Sequence, residues 1–291
     1  MSQSKQLIGF VGQGWIGKNY ANDFEKRGFQ TVRYSLEKPY LENKEKIKDC
    51  DIVFIAVPTP TTLEGFDGHI VEEALTLVGR GKIAVIKSTV LPGTTTQFQE
   101  KYSILTIIYS PEFLSEATAE YDSAYPFSNI IGLSLDTPRH RTASDKLISV
   151  LPHAPFQLVC TSTEAEMIKY THNVSGYVQI MFFNMMYDFT RTIGCDWSVI
   201  RQALIADPFV ASQYSEPIHK SGRGAGGGCF IKDFASFKKL YTEKIPDDIH
   251  SHKILTALED KNIELLTKSG KDLGLVKGVY GEISINKDCP C

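Results

Sequence analysis

The stretch KQLIGFVGQGWIG, residues 5–17, joins a short apolar run to a glycine-rich turn. In its G-x-G-x-x-G pattern the first glycine permits a tight turn, the second lets backbone approach a pyrophosphate, and the third lets a helix pack on the strand. A helix beginning here presents free N–H groups and the positive end of its dipole. We therefore predict a strand, a turn and a helix that bind a dinucleotide, with a functionless glycine turn as the alternative. The predicted site comprises Gly12, Gln13, Gly14, Trp15, Ile16 and Gly17.

Further apolar runs predict more strands of the same sheet. They are Gln30–Tyr34, Ile52–Val57, Lys82–Ser88, Ile104–Tyr109 and Asn129–Leu135. The run Ile52–Val57 is apolar at nearly every position, which is typical of a strand covered on both faces in a parallel sheet. Strands that alternate with helical segments favour right-handed βαβ units. We predict an α/β fold with a Rossmann-like, doubly wound parallel sheet.

The character of the sequence changes near residue 160. A hydroxyl at Thr163 followed by Glu166 matches a helix capping box, and no proline follows until well beyond Ile193. A helix of ~30 residues would be ~45 Å long. Helical patterns also cover Ser198–Ala206, Phe234–Tyr241 and Ser251–Lys268. We predict a dinucleotide-binding domain over 1–160 and a mostly helical domain with a long central helix over 161–291.

Composition excludes several classes of protein. The chain has 291 residues, a net charge of −3 and 42% apolar residues, so it is neither disordered nor rich enough in basic residues for a nucleic-acid module. No apolar run approaches the ~20 residues that span a bilayer, and residues 1–11 lack a secretory signal. We expect a cytoplasmic protein with free thiols and no structural zinc. The tail Cys289–Cys291 could bind metal or oxidise, but a disordered end is the preferred interpretation.

The residue that would contact the cofactor's ribose is unusual. Dinucleotide-binding folds place an acid at the end of the second strand to bind the 2′-hydroxyl, and here Ser35 stands at that position. Serine lacks the charge that repels a 2′-phosphate, and Arg33 and Lys38 could attract one. NAD and NADP therefore both stay open.

A cysteine follows five closely spaced glycines in the segment Gly222–Asp233. Such a backbone can wrap around a ligand, and the neighbouring Lys232 favours a thiolate at Cys229. Upstream, Lys169 and Asn173 are four residues apart and share one helix face. Each feature alone has an ordinary explanation: a linker with an inert thiol, or a solvated helix face. The same holds for the two carboxylates of Pro111–Glu116.

Taken together, these segments resemble the UDP-glucose/GDP-mannose dehydrogenase family from about residue 5 to about residue 240. The matching segments, in the family's order, are Gly12–Gly17, Val57–Thr61, Ser88–Val90, Pro92–Thr94, Pro111–Ala117, the Lys169/Asn173 pair and Gly224–Asp233. The resemblance implies oxidation of a primary alcohol to a carboxylate in two hydride transfers. It also explains the thiol, because Cys229 can capture the aldehyde as a thiohemiacetal whose oxidation gives a thioester. The resemblance favours NAD.

The resemblance also assigns roles. Lys169 and Asn173 would stabilise the developing oxyanion, Asp233 would position water and hold Lys169, and Glu112 would be the base for thioester hydrolysis, aided by Thr89. Residues expected near the cofactor are Pro58, Thr59, Thr89, Glu116, Lys232 and Ser35. Residues expected to bind substrate are Phe113, Leu114, Gly224, Ala225, Gly226 and Gly227. The substrate would be a sugar or nucleotide sugar, no metal is expected, and the long helix implies a homodimer.

The sequence departs from the family in three places. Only about 22 residues separate Ser35 from Val57, Phe127 follows a Tyr-Pro where relatives carry Arg, and the chain ends 58 residues after Asp233, where relatives continue into a nucleotide-binding domain. Three hypotheses follow from these departures. The chain is a compact dehydrogenase, a degenerate protein that binds a dinucleotide without turnover, or a two-electron enzyme like the β-hydroxyacid dehydrogenases, which also pair a Rossmann domain with a helical one.

Overall fold

The structure is a computed structural model that describes residues 6–282. The chain forms two compact units. The first takes in the sequence up to Pro60 and Asp67–Lys169, and the second takes in Thr61–Phe66 and the sequence from Tyr170 onward. The segment 61–66 therefore leaves the first unit and returns to it.

The first unit is built on a seven-stranded sheet with the strand order β2-β1-β3-β6-β7-β8-β9. Its strands are β1 (Leu7–Val11), β2 (Gln30–Tyr34), β3 (Ile52–Ile55), β6 (Ile83–Ile86), β7 (Thr106–Tyr109), β8 (Ser128–Leu133) and β9 (Phe156–Thr161). Its helices are α1 (Trp15–Lys26), α2 (His69–Leu75), α3 (Thr94–Lys101), α4 (Ala119–Ala124) and α5 (Pro138–Val150), with a 3₁₀ segment over Leu41–Asp49. All neighbouring strands are parallel except β7 and β8.

The predicted doubly wound sheet is confirmed. Every residue of β3, β6 and β7 is buried, as expected for parallel strands covered by helices on both faces. Phe10, Phe24 and Phe54 pack together at the centre of this core, with ring centroids 5.2–5.4 Å apart. Strand β9 was not predicted. Only Leu158 and Cys160 in it are even half-buried, because this strand forms the edge of the sheet and carries a weak apolar signal.

The strand order places the functional segments at one edge of the sheet. The chain reverses its winding direction between β1 and β3, and ligands of such sheets bind beyond the carboxyl ends of strands at this switch point. Since β1, β3, β6 and β7 are parallel neighbours, the segments after them all emerge at that edge. These segments are the glycine turn, Val57–Thr59, Lys87–Thr89 and Ser110–Glu112.

The predicted long helix is confirmed as α6, Ser162–Thr192, with 31 residues. Its first turn corrects one detail, because the capping box is formed by Thr161 and Glu164, not by Thr163 and Glu166. The Glu164 carboxylate accepts from the Thr161 amide and hydroxyl, at 2.8 Å each. Glu166 does not take part in this box, because its buried side chain binds the start of helix α3.

That buried carboxylate serves as a cap for another helix. Glu166 accepts hydrogen bonds from the amides of Gly93 (2.6 Å) and Thr95 (2.9 Å) and from the Thr95 hydroxyl (2.6 Å). Burial raises the pKa of Glu166 to about 7, although the hydrogen bonds from Thr95 and Gly93 oppose the shift. The first turn of α3 is thus satisfied by a side chain from a distant part of the sequence.

The second unit is mostly helical, as predicted. It contains the rest of α6 with α7 (Trp197–Ala206), a 3₁₀ turn (Ser212–Tyr214), α8 (Gly227–Lys244), α9 (Ile249–Ser269), α10 (Leu273–Tyr280) and a small hairpin of β4 (Thr61–Thr62) and β5 (Gly65–Phe66). Its core is centred on Tyr177 and Phe234, whose rings stack 3.8 Å apart. The hairpin joins this unit through a 2.7 Å hydrogen bond between the hydroxyls of Thr61 and Ser236.

Candidate active site

The glycine turn after β1 has the geometry that its sequence predicts. A Cβ at Gly12, where φ is +92°, would lie 2.2 Å from the Ala56 carbonyl oxygen, and a Cβ at Gly17 would lie 2.1 Å from the Gly12 carbonyl oxygen. Gly14 differs, because no atom lies within 4 Å of the position of its Cβ. Two of the glycines are therefore required by close backbone packing, whereas the middle one leaves open space at the start of helix α1.

The start of α1 is suited to an anionic ligand. Its N-cap, Gly14, provides no side-chain hydrogen bond, and its first turn contains no acidic residue. The N–H groups there keep their capacity to bind an anion. Gln13, beside them, donates to the Gly12 carbonyl at 3.0 Å, while its amide oxygen is buried without a partner among the described residues. The turn thus fits the diphosphate of a dinucleotide.

The surroundings of Ser35 and Arg33 weaken one argument for NADP. Ser35 is half-buried and makes a local turn, donating to the Glu37 carbonyl at 3.1 Å. Arg33 is buried and bonded to both carboxylate oxygens of Glu25, at 2.9 and 2.6 Å. Its charge is already compensated, so the expectation that Arg33 attracts a 2′-phosphate loses its basis. Lys38 is exposed.

The segments after β3 and β6 are joined by a serine. The Ser88 hydroxyl accepts from the Val57 amide at 2.9 Å and donates to the Val57 carbonyl at 2.7 Å. This pair of bonds fixes the backbone that leads to Pro58 and Thr59. Thr59 and Thr89 are both buried, whereas Pro58 is exposed. The two predicted threonines therefore lie in ordered backbone at the carboxyl edge of the sheet.

Beyond β7, the structure brings two predicted catalytic residues together. The Lys169 ammonium donates to the Glu112 carbonyl at 2.7 Å and to its carboxylate Oε1 at 3.3 Å. The other carboxylate oxygen, Oε2, accepts from the Leu114 amide at 2.8 Å. Both side chains are almost fully buried, and the Lys169 ammonium also lies 5.3 Å from the Phe113 ring centroid. The other predicted carboxylate of this segment, Glu116, is exposed.

Sequence reasoning missed a second buried lysine beside this pair. Lys87 is 3% exposed and donates to the Ser110 hydroxyl and the Pro111 carbonyl, each at 3.3 Å. Burial lowers the pKa of Lys87 to about 7; Glu112 opposes this shift and the Lys169 charge adds to it. The sequence did carry a signal for this burial. Lys87 directly follows the four apolar residues of β6, and a side chain at such a position has little access to solvent.

In the second unit the structure pairs Asn173 with Asp233. The Asn173 amide donates to Asp233 Oδ2 at 2.6 Å, and Lys232 donates to Oδ1 at 2.5 Å. Asn173 and Asp233 are 6% and 1% exposed, so both are shielded from solvent. Asp233 therefore has a donor on each oxygen. Lys169 and Asn173, predicted to share a face, lie about one turn apart on the single helix α6.

The segment around Cys229 differs from the flexible loop that its glycines predict. Helix α8 begins at Gly227, so Cys229 lies in its first turn, where it is half-buried and forms no disulfide with the other described cysteines. The N-cap Gly226 provides no side-chain bond. Because the positive end of a helix favours a negative charge, this position favours a thiolate through the backbone itself.

The glycine segment before α8 is held by side chains that sequence reasoning missed. Asn262 accepts from the Ala225 amide at 2.7 Å and donates to the Ala225 carbonyl at 3.1 Å. Lys271 donates to the Gly224 carbonyl at 2.9 Å. Asp272 accepts from the Gly227 amide at 2.7 Å, and a Cβ at Gly226 would lie 2.1 Å from its carboxylate. We call Asn262, Lys271 and Asp272 the loop clamp.

Other observations concern metals, thiols and membranes. Over residues 6–282, no cluster of three His, Cys, Asp or Glu side chains is arranged to hold a metal ion. None of the described cysteines, Cys50, Cys160, Cys195 and Cys229, forms a disulfide with another. None of the described helices is long and apolar enough to cross a bilayer. The predicted Cys289–Cys291 feature lies outside the described residues.

Two parts of the chain match one family. Residues 36–147 match the NAD binding domain of the UDP-glucose/GDP-mannose dehydrogenase family, and residues 163–263 match the central domain of the same family. The chain is 32% identical over 267 residues to UDP-glucose 6-dehydrogenase YwqF of Bacillus subtilis, with 84% of this chain and 56% of that protein covered. The chain thus spans about half the length of the curated relatives it matches.

Solved structures show the same fold. A UDP-glucose dehydrogenase from Pyrobaculum islandicum aligns with a TM-score of 0.75 at 24% identity, covering 89% of this chain and 69% of that one. The 3-hydroxyisobutyrate dehydrogenase of Mycobacterium tuberculosis aligns with a TM-score of 0.66 at 12% identity, covering 94% and 99%. These identities support a common fold and nothing finer.

Proposed function

Because this chain belongs to the UDP-glucose/GDP-mannose dehydrogenase family, we propose that it is an NAD-dependent oxidoreductase that converts a primary alcohol of a sugar or nucleotide sugar to a carboxylate. One observation supports this best. Helix α6 carries Lys169 and Asn173 about one turn apart, and each is bonded to a buried carboxylate, Glu112 and Asp233 respectively. The predicted catalytic residues are thus joined in pairs within each unit.

The glycine turn would hold the cofactor. Gly12 and Gly17 leave no room for side chains, while Gly14 opens the start of α1 to the diphosphate. Residues after β3 and β6, including Thr59 and Thr89, would border the nicotinamide half, and Ser35 would lie near the ribose. These residues would hold two NAD molecules in succession, and each would supply the acceptor for one of the two hydrides that leave the substrate.

The remaining chemistry belongs to the chain's own residues. The thiolate of Cys229 would add to the aldehyde carbon, and the resulting oxyanion would be stabilised by the Lys169 charge and the Asn173 amide. Loss of hydride from this thiohemiacetal leaves a thioester on Cys229. Glu112 would take a proton from the water that attacks the thioester, which releases the acid and regenerates the thiol. The resemblance gives Asp233 the role of holding Lys169, but its observed bonds are to Asn173 and Lys232. We therefore propose that Asp233 holds Asn173 and orients that water.

Each unit contains residues that we propose bind substrate. In the first unit, Phe113 and Leu114 follow the catalytic carboxylate, and Phe113 lies beside the Lys169 ammonium. In the second unit, Gly226 and Gly227 would offer backbone to a sugar, whereas Gly224 and Ala225, predicted to bind substrate as well, are buried and bonded by the loop clamp. Phe127, whose ring centroid lies 5.4 Å from that of Phe113, would provide an apolar wall where relatives carry an arginine.

The stoichiometry of the reaction tests the proposal. Purified protein would be incubated with NAD or NADP and a panel of nucleotide sugars and sugar alcohols, and reduced cofactor and acid would be counted together. We expect two reduced cofactors for each acid formed. One reduced cofactor with a carbonyl product would indicate the two-electron, β-hydroxyacid dehydrogenase-like alternative. Cofactor binding without turnover on any substrate would indicate the degenerate alternative.

We also propose a homodimer formed through α6. The second half of this helix exposes large apolar side chains at three- and four-residue intervals: Val178, Phe182, Met185, Met186 and Phe189. A stripe of this kind is typical of a surface that another protein covers. Sedimentation should give a dimer, and Phe182→Asp with Phe189→Asp should give a monomer; a monomeric wild type would refute the dimer.

The compartment we propose is the cytoplasm, where free thiols persist.

A further inference from the structure

Lys87 is a buried ammonium without a carboxylate bonded to it. It donates hydrogen bonds to the Ser110 hydroxyl and the Pro111 carbonyl, both at 3.3 Å. The Tyr20 ring from α1 lies beneath it, with the ammonium 4.5 Å from the centroid. Lysine is almost never fully buried unless it is paired, so a lysine held by neutral oxygens and a ring needs an explanation.

The charged groups facing Lys87 belong to the proposed catalytic centre. Glu112 attracts its ammonium and Lys169 repels it, and the third titratable group is Tyr20, whose own pKa is raised by burial and by Glu112. All of these side chains are at least nine-tenths buried. The charges of two lysines thus act on one carboxylate at a buried position, where solvent screens them little.

The two oxygens that Lys87 contacts belong to the residues just before Glu112. Its hydrogen bonds therefore fix the backbone that carries the Glu112 carboxylate and the carbonyl bound by Lys169. Lys87 follows β6 and Ser110 follows β7, which are neighbouring strands. Lys87 thus ties the end of one strand to the start of the catalytic segment after the next.

We propose that Lys87 is a positioning residue of the Glu112–Lys169 centre, which holds residues 110–112 in place and changes the net charge beside the pair when it gains or loses its own proton. With Lys87 charged, the centre contains two cations and one anion. When Lys87 loses its proton, Lys169 becomes the only cation facing Glu112 among these three groups, and the ion pair is balanced. The inference rests on the proposed function only where activity is measured.

Stability measurements test the charge without any reference to activity. The pKa of Lys87 falls from 10.5 to about 7 on folding, so between these values the unfolded chain holds a proton that the folded chain has lost. Stability contributed at this site therefore rises as pH increases from about 7 toward 10.5. We would compare urea unfolding of the wild type, Lys87→Met and the control Lys82→Met, whose lysine lies on the same strand segment but is part-exposed and paired with Asp51.

The unfolding free energy of the wild type, taken relative to that of Lys87→Met, should increase with pH across this range. The pH dependence of Lys82→Met should match that of the wild type. A constant difference for Lys87→Met would overturn the charge role. If Lys87→Met fails to fold, Lys87→Gln provides the same comparison, since it also removes the charge and keeps an amide donor.

Kinetics test the positioning role in active protein. We expect Lys87→Met to lower kcat by roughly 10- to 100-fold, as displaced catalytic groups do, with the KM for NAD changed less than about twofold. The titration of kcat near pH 7 should disappear in both Lys87→Met and Lys87→Gln, and Lys87→Gln should recover part of kcat at high pH. An unchanged pH profile in both variants would overturn the proposal. An inactive wild type would refute the proposed function and leave the unfolding test valid.

Discussion

Two glycine-rich helix starts within residues 6–282, those of α1 and α8, are built differently. At the turn before α1, Gly12 and Gly17 are required by backbone atoms that lie 2.1–2.2 Å from the positions of their Cβ atoms. At the segment before α8, the glycine backbone is held by the side chains of the loop clamp, from 37 to 47 residues further along the chain. The first is a compact local turn, whereas the second depends on packing between distant helices.

On the proposed function, the first region would bind the cofactor and the second would carry the covalent chemistry, and Cys229→Ser should show this difference most strongly. Serine lacks the thiolate that would form the thioester. We expect complete loss of acid formation with NAD binding unchanged, measured by product assay and by titration of NAD. Cys195→Ser, which changes an exposed thiol, is the matched control and should keep full activity. Acid formation by Cys229→Ser would rule out the thioester.

Gly12→Ala should break the first region. The new Cβ would overlap the Ala56 carbonyl, and φ at this position is +92°, which side chains rarely adopt. We expect a loss of ~3 kcal/mol or more in the free energy of unfolding, measured in urea. Gly14→Ala is the contrasting variant: it should keep stability and weaken NAD binding, because its methyl enters the open space. Equal destabilisation by both would contradict the packing argument.

Asn262→Ala should loosen the second region alone. It leaves the Ala225 amide and carbonyl without their buried partner, which costs ~1–3 kcal/mol. We expect that loss in urea unfolding, together with lower acid formation at an unchanged Kd for NAD. Thr256→Ala, on an exposed face of the same helix, should change neither quantity. Lower stability with unchanged turnover would mean that the clamp supports folding without positioning Cys229.

The smallest effect is expected at Ser35, beside the first region. Ser35→Asp restores the charge that repels a 2′-phosphate. We expect the preference for NAD over NADP to increase by about tenfold, which corresponds to ~1.4 kcal/mol, in paired Kd measurements. Ser35→Ala is the control for loss of the local turn and should leave the ratio within about twofold. An unchanged ratio in Ser35→Asp would place Ser35 away from the ribose.

Much of the fold follows from local sequence. The parallel strands are marked by apolar runs such as Ile52–Ile55, and the long helix is marked by the absence of proline up to Thr192. The roles of Gly12 and Gly17 could also be predicted, because a tight turn imposes them within a few residues. Edge strand β9 could not, since its mostly exposed residues carry no clear pattern.

The candidate site was harder to predict from the sequence where it depends on contacts between residues far apart in the chain. The pairs Lys169–Glu112 and Asn173–Asp233 join residues 57 and 60 positions apart. Motif resemblance named all four, but nothing local showed which would pair. Lys87 and the loop clamp were missed altogether, because a lysine or an asparagine in an ordinary helix or strand pattern gives no sign that folding will bury it.

The cap that Glu166 places on α3 decides which helix can serve a ligand. Both α1 and α3 follow parallel strands of the sheet, and the start of each carries peptide dipoles that attract anions. At α3 the protein supplies that anion itself, with two amides and a hydroxyl already committed to the Glu166 carboxylate. At α1 the N-cap makes no side-chain hydrogen bond and the first turn contains no acidic residue. The Glu166 carboxylate therefore takes up the N–H groups of α3, and on the proposed function the diphosphate of the cofactor would bind at α1.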